Sequence, residues 1–190
     1  MKRIIGLCGY IGAGKSTVAQ ILAELSETAE ILNFADALKD VISAVFGWDR
    51  TLLNGDTSES RAFREAPDKW WSERLKMNIT PRFIMQNWGT ELIRDAFHPD
   101  IWAAVVERKI MNSSAQTVII ADCRFINEID LIKRLGGVLI LVQRDGANGA
   151  STHKSEHEWE GAEIDAVIKN SGNMDDLRAE CVKWVKVEDF

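Results

Sequence analysis

Short runs of apolar residues alternate along the chain with segments in which apolar side chains recur at helical spacing. The runs predict strands at residues 3–8, 30–34, 117–122, 138–142 and 166–168. Continuous apolar runs are typical of parallel strands that are covered on both faces. The helical spacing predicts helices over residues 16–25, 35–46, 81–93, 100–111, 127–135 and 174–185. This alternation predicts an α/β fold, a three-layer α/β/α arrangement with a five-stranded parallel sheet.

Two stretches depart from the alternation. Residues 35–111 are too many for a simple crossover, and residues 144–161 are polar with little apolar periodicity. In an open parallel sheet, such insertions lie over the carboxyl ends of the strands, where ligands bind. We therefore expect one domain over residues 1–190, with a helical substrate-binding insertion at 35–111 and a lid at 144–161.

A glycine-rich motif joins the first predicted strand to the first predicted helix. Residues 9–16 read Gly-Tyr-Ile-Gly-Ala-Gly-Lys-Ser, the G-x-x-x-x-G-K-S pattern of a phosphate-binding loop, or P-loop. The backbone N–H groups of such a loop, together with the start of the helix, bind a polyphosphate. Lysine reaches the β- and γ-phosphates and the serine hydroxyl binds Mg²⁺. The motif predicts ATP and Mg²⁺ as ligands of Gly12, Ala13, Gly14, Lys15, Ser16 and Thr17.

Polar side chains follow the third predicted strand. Asp122 ends that strand, where an acid would reach Mg²⁺ together with Ser16, and Arg124 and Glu128 come shortly after. The alternative for these residues is an acid at a helix start with surface charges around it.

The long insertion is rich in arginine and tryptophan. If the insertion binds a second substrate that accepts a phosphoryl group and itself carries a monophosphate, that substrate would need guanidinium groups. Guanidinium groups bind phosphate with two parallel hydrogen bonds. Among Arg61, Arg64, Arg74 and Arg82, the first and last are favoured, although any of them could instead form weak surface ion pairs. The tryptophans are expected mostly in the core, with one available to stack on a base.

The predicted lid carries cations. Arg144, His153 and Lys154 could meet the transferring phosphoryl group, as an arginine finger does, or could belong to a solvated loop. His153 and His157 lack a third ligand, so no metal site is predicted there.

Charge and composition restrict the partners. A net charge of −6 without a basic block disfavours nucleic acid, and no apolar stretch is long enough to span a bilayer. The three scattered cysteines suggest reduced thiols in the cytoplasm.

Taken together, these motifs resemble those of the phage-encoded deoxynucleoside monophosphate kinases, relatives of the adenylate-kinase group of P-loop kinases. The resemblance runs along nearly the whole length. Beyond the P-loop, it is carried by residues 34–40, 85–93, 97–102, Asp122-Cys123-Arg124 with Glu128, 152–156 and 170–172. The chain departs from some members at Ala35-Asp36-Ala37, where they have Gly-Pro, and its insertion is shorter than in the best-known relatives.

The resemblance implies ATP- and Mg²⁺-dependent phosphorylation of a deoxynucleoside monophosphate to the diphosphate. It implies catalytic roles for Lys15, Arg124, Asp122 and Arg144, and makes residues 170–172, with Asn170 and Gly172 as ATP-binding residues, the turn beside the ATP adenine. The residues it implies for the acceptor are Lys39, Arg61, Arg82, Trp102, Asp122, Arg124, Glu128, His153 and Glu156. The partners are then small-molecule nucleotides, with homodimer formation left open, and the location is the cytoplasm, that of the host cell if the chain is encoded by a phage. The rival interpretations are a P-loop kinase of dephospho-coenzyme A or phosphomevalonate, and a nucleotide-binding switch with negligible turnover.

Overall fold

A five-stranded parallel sheet forms the centre of the protein, in the strand order β2-β3-β1-β4-β5. The structure is a computed structural model that describes residues 2–147 and 158–185. The strands are β1 Arg3–Cys8, β2 Ala29–Leu32, β3 Thr117–Ile120, β4 Val138–Gln143 and β5 Ala166–Lys169. Every pairing is parallel, which confirms the predicted fold class.

Eight α-helices lie within the described residues. They are α1 Lys15–Leu25, α2 Asp36–Phe46, α3 Ser58–Glu65, α4 Lys69–Leu75, α5 Pro81–Gln86, α6 Ile101–Asn112, α7 Ile126–Arg134 and α8 Met174–Val185. A π-helical segment, Asn87–Asp95, directly follows α5, and single 3₁₀ turns occupy Thr51–Leu53 and Glu158–Gly161. None of the helices in the described ranges combines the length and the apolar character that crossing a bilayer requires.

The central strand β1 is buried on both faces. Ile5 and Leu7 belong to a cluster that includes Val18 of α1 and Leu177 of α8. Gly6, on the opposite face, lies against α7: a Cβ there would fall 2.3 Å from the Ile132 side chain. Because successive strand residues face opposite sides, helices cover the sheet above and below, which gives the three layers.

The chain divides into two compact units, which we call the sheet unit (residues 1–34 and 103–190) and the helical unit (35–102). The core of the helical unit is aromatic. Phe46 stacks on Trp48 at 4.4 Å between ring centroids and meets Trp71 and Trp88 at 5.0 and 5.4 Å. Trp48 and Trp71 also satisfy their indole N–H groups within this unit, at the Asp68 carboxylate and the Phe46 carbonyl. These three tryptophans are packing residues, as expected for most of the indoles.

Helices α3 and α4 were not predicted from the sequence, because neither shows an apolar period. Their starts are fixed by capping side chains. Thr57 and Ser60 form a reciprocal capping box at α3, and the Asp68 carboxylate accepts the Trp71 N–H at α4. The second and third strands end two residues earlier than predicted, at Leu32 and Ile120.

Candidate functional site

The P-loop has the backbone of an anion-binding turn. Gly9 has φ +133°, and a Cβ there would lie 2.4 Å from the Val142 carbonyl oxygen, so only glycine fits. Gly14 has φ +95° and occupies the N-cap position of α1. Among the described residues no side chain caps this helix start. The first-turn N–H groups and the positive end of the helix dipole are therefore directed at the loop, as an anion requires.

Lys15 lies over its own loop. Its Nζ donates hydrogen bonds to the carbonyl oxygens of Gly9, at 2.7 Å, and Tyr10, at 3.0 Å. These bonds hold the ammonium group against the loop whose N–H groups bind phosphate in this motif. Ser16 is exposed in the first turn of α1, and Thr17 is half-buried behind it.

Asp122 lies in the loop that follows β3, the neighbour of β1 in the sheet. Its Oδ1 accepts the N–H of Phe34 at 2.8 Å, which ties the ends of two neighbouring strands together. The carboxylate is thus held at the carboxyl edge of the sheet, the edge from which the P-loop also emerges. Within residues 2–147 and 158–185, no group of three or more His, Cys, Asp or Glu side chains converges as a metal-binding cluster. A Mg²⁺ ion shared with ATP phosphates needs few protein ligands, and a hydroxyl and one carboxylate suit it.

Glu128 is buried, with only 2% of its surface exposed, and it caps α7. Its Oε2 accepts the backbone N–H groups of Arg124 at 2.9 Å and of Phe125 at 3.2 Å. This carboxylate fixes the chain between Asp122 and the helix, and so fixes where the Arg124 side chain starts. The resemblance implies that Glu128 binds the acceptor; the contacts add a structural role that was not predicted, although a glutamate three residues into a helix was the signal for it.

The turn between β5 and α8 meets the P-loop. Asn170 donates from Nδ2 to the Ala13 carbonyl oxygen at 2.8 Å. Gly172 comes two residues later, where a Cβ would meet the Asp176 carboxylate at 2.5 Å. Arg144 is exposed just after β4. His153 and Glu156 lie outside the described residues, as does most of the lid expected at 144–161.

The helical unit contains a charged network at the start of α2. Arg50 donates from Nε to Asp40 at 2.5 Å and from NH2 to Asp36 at 2.9 Å. Its NH1 donates to Asn54 Oδ1 at 2.7 Å, and Lys39 reaches the same oxygen at 3.3 Å. The acceptor candidate Lys39 is thus held by a network centred on Arg50, which the sequence did not single out.

The other acceptor candidates of the helical unit differ in their surroundings. Arg82 forms an ion pair with Glu65, and Arg61 is exposed on α3. Trp102 is 7% exposed, and its Nε1 donates to the Gly89 carbonyl oxygen at 2.9 Å. Gly89 lies in the π-helical segment, where a Cβ would be 2.7 Å from the Leu38 side chain. Trp102 therefore anchors an irregular helix, the kind of segment that often occurs at functional sites.

Two cysteine thiols lie next to the site, and burial raises the pKa of both. Cys8 ends β1 just before the P-loop, and burial raises its pKa to about 12 even though the Lys15 charge opposes this. Burial also raises the pKa of Cys123 well above its usual value, with the charges of Asp122 and Glu128 adding to the effect. Neither thiol is available as a nucleophile at neutral pH.

Comparison with known proteins identifies relatives over most of the chain. The model of the family described as deoxynucleotide monophosphate kinase matches residues 55–181. A protein of Acanthamoeba polyphaga mimivirus, provisionally named a deoxynucleotide monophosphate kinase, is 31% identical over 96% of this chain and 95% of its own. The deoxynucleoside-5'-monophosphate kinase of Escherichia phage T5 is 34% identical over 84% of each chain.

A solved structure of dephospho-CoA kinase from Campylobacter jejuni has a TM-score of 0.50 and 17% identity, over 98% of this chain and 96% of that one. At that identity the likeness shows the fold alone. The family match and the sequence relatives, which cover most of the chain, carry its assignment.

Proposed function

The chain belongs to the deoxynucleotide monophosphate kinase family, and from that premise we propose that it transfers the γ-phosphoryl group of ATP to a deoxynucleoside 5'-monophosphate. The product is the diphosphate, a precursor on the way to DNA. The observation that carries the proposal is the P-loop: a glycine turn leading into an uncapped α1, with Lys15 lying over the turn. That arrangement binds a triphosphate by its β- and γ-phosphates.

The chemistry needs alignment and charge stabilisation more than proton transfer. The acceptor phosphate is already anionic at neutral pH, since its second pKa is ~6, so no strong general base is required. Lys15 and the loop N–H groups would stabilise the negative charge that spreads over the transferred group. Ser16 and Asp122 would hold Mg²⁺, which supplies positive charge to the phosphate oxygens when bound.

The acceptor side of the proposal rests on the resemblance. Lys39, Arg61, Arg82 and Arg124 would supply positive charge to the monophosphate, and Arg144 would assist the transfer. The contacts that support this are the Glu128 cap, which fixes the backbone of Arg124, and the Arg50 network, which holds Lys39. Homodimer formation and a cytoplasmic location stay predictions.

The test is an acceptor panel in a coupled assay of ADP release with Mg²⁺ and ATP. The panel contains all deoxy- and ribonucleoside monophosphates and dephospho-coenzyme A. We expect ADP release to be stimulated by one or more deoxynucleoside monophosphates. Stimulation by dephospho-coenzyme A alone, or tight ATP binding with no stimulated release, would overturn the proposal in favour of another small-molecule kinase or a switch.

Two lysine variants control the assay. Lys15→Met removes the charge from the loop and should lower kcat by at least about 100-fold, by analogy with the deletion of one oxyanion donor. Lys183→Met makes the same substitution at a largely exposed residue of α8, paired only with Glu180 among its described contacts, and should match the parent. A Lys15→Met protein within tenfold of the parent would exclude this loop as the site of phosphoryl transfer.

A further inference from the structure

One side chain connects the P-loop to the far edge of the sheet. Asn170 follows β5, and its backbone N–H donates to the Gln143 carbonyl oxygen at the end of β4, at 2.7 Å. Its side-chain Nδ2 donates to the Ala13 carbonyl oxygen at 2.8 Å. Ala13 is 1% exposed, so this carbonyl depends on a protein partner for its hydrogen bond. Asn170 is therefore fixed at its backbone and bonded to the loop through its amide.

This hydrogen bond fixes the orientation of a peptide group in the P-loop. The described chain contains no cis peptide bond, so the Ala13 carbonyl and the Gly14 N–H lie in one plane and point in opposite directions. A carbonyl held toward Asn170 turns the Gly14 N–H away from Asn170. Loop N–H groups are the groups that bind phosphate oxygens in this motif, and their directions decide how well they do so.

The φ of +95° already favours glycine at residue 14, and the contact with Asn170 gives a second reason for it. A Cβ at Gly14 would lie 2.2 Å from Asn170 Nδ2. Any side chain would displace the amide and break its bond to Ala13. The positive φ and the close approach of Asn170 thus impose the same residue for independent reasons.

We propose that Asn170 is a positioning residue for the triphosphate, which acts by holding the Ala13–Gly14 peptide in its phosphate-binding orientation. The inference rests on the proposed function and deepens it. The role that the family resemblance implies is different, a turn beside the adenine. In our proposal, binding of the phosphates depends on Asn170, and binding of the base does not. The two roles predict different ligand dependence.

Binding of tripolyphosphate separates the two roles, because this ligand has the phosphates of ATP and no base. Calorimetry with Mg²⁺-tripolyphosphate and with Mg²⁺-ATP is carried out on the parent, Asn170→Ala and Asn170→Asp. We expect Asn170→Ala to weaken both ligands by about tenfold, the loss that follows when a buried carbonyl is left without its donor. Asn170→Asp should weaken both further, because a carboxylate repels the Ala13 carbonyl and the phosphates alike.

The matched control is Asn173→Ala. Asn173 caps α8 by accepting the N–H groups of Asp175 and Asp176 at 2.8 and 3.0 Å, so its loss weakens the helix without touching the P-loop. It should lower the melting temperature but leave the affinity for tripolyphosphate unchanged. Kinetically, Asn170→Ala should raise KM for ATP and leave KM for the acceptor at the parent value.

Each outcome decides the question. If Asn170→Ala and Asn170→Asp weaken ATP but leave tripolyphosphate unchanged, Asn170 contacts the base and the positioning role is wrong. If tripolyphosphate binding falls equally in Asn173→Ala, the effect is general destabilisation and the inference also fails. A parent that binds both ligands and turns over, with variants equal to it, overturns this inference alone. A parent that binds neither ligand overturns the proposed function.

Discussion

The buried carboxylate of Glu128 gives the sharpest test of the structure, because the resemblance and the contacts assign it different roles. The resemblance implies a residue that binds the acceptor. The structure shows a residue whose Oε2 accepts two backbone N–H groups at the start of α7. Glu128→Ala removes this acceptor and leaves the N–H groups of Arg124 and Phe125 without it.

The expected loss of stability follows from those two bonds. An unsatisfied buried N–H costs about 1–3 kcal/mol, and Arg124 and Phe125 are half-buried, so the lower limit applies to each. The loss of a carboxylate from the first turn of a helix adds roughly 0.3–1 kcal/mol. Together we expect Glu128→Ala to lower the free energy of unfolding by about 2–3 kcal/mol. In a chain of this size that corresponds to a fall in Tm of roughly 5–10 °C.

Urea denaturation and thermal melting measure the loss, and steady-state kinetics at low temperature measure function in the folded protein. Glu128→Gln keeps an acceptor oxygen and should lose about half as much, since hydrogen bonds to neutral groups are about half as strong. Glu59→Ala is the matched control, an exposed glutamate in the first turn of α3, and should lose only the helix-dipole contribution of roughly 0.3–1 kcal/mol. If Glu128→Ala is as stable as the parent while KM for the acceptor rises tenfold or more, Glu128 binds substrate and the capping argument is refuted.

The other predictions concern buried contacts elsewhere in the chain. Trp102→Phe loses the bond to Gly89 and should cost about 1–3 kcal/mol in urea denaturation; unchanged stability with a raised acceptor KM would instead favour a substrate contact. Burial raises the pKa of Asp165, but the Leu139 N–H and Lys133 outweigh it and lower the pKa below 3.8. The ionised Asp165 carboxylate therefore stabilises the folded protein fully above pH 3.8, and this stabilisation is lost as the pH falls through the lowered pKa of the folded state. Asp165→Asn should lower the free energy of unfolding at pH 7 by about 1 kcal/mol, and progressively less toward pH 3. A thiol reagent at pH 8 should label the cysteines only after denaturation, because burial raises the pKa of each; rapid labelling of the native protein would contradict the buried positions of Cys8, Cys123 and Cys181.

The sequence by itself determined the features that depend on neighbours along the chain. The P-loop, the strands and most helices follow from local spacing, and their order predicts a parallel sheet with right-handed crossovers. The position of Asp122 after a strand beside β1 was also predictable, because the carboxyl ends of parallel strands share one edge. Helices α3 and α4 could have been found from Thr57 and Asp68, since capping is local as well.

Only the tertiary structure decided which polar side chains form hydrogen bonds to backbone carbonyls that are distant in sequence. Asn170 and Ala13 are 157 positions apart in the sequence, and no local sequence pattern at either residue predicts their hydrogen bond. Trp102 likewise bonds to Gly89 because a π-helical turn places that carbonyl against the indole. Such bonds form where folding brings a buried carbonyl to a side chain distant in sequence, and the requirement to satisfy buried polar groups then selects the residue. Local pattern therefore locates the phosphate-binding loop, and long-range packing determines how that loop is held.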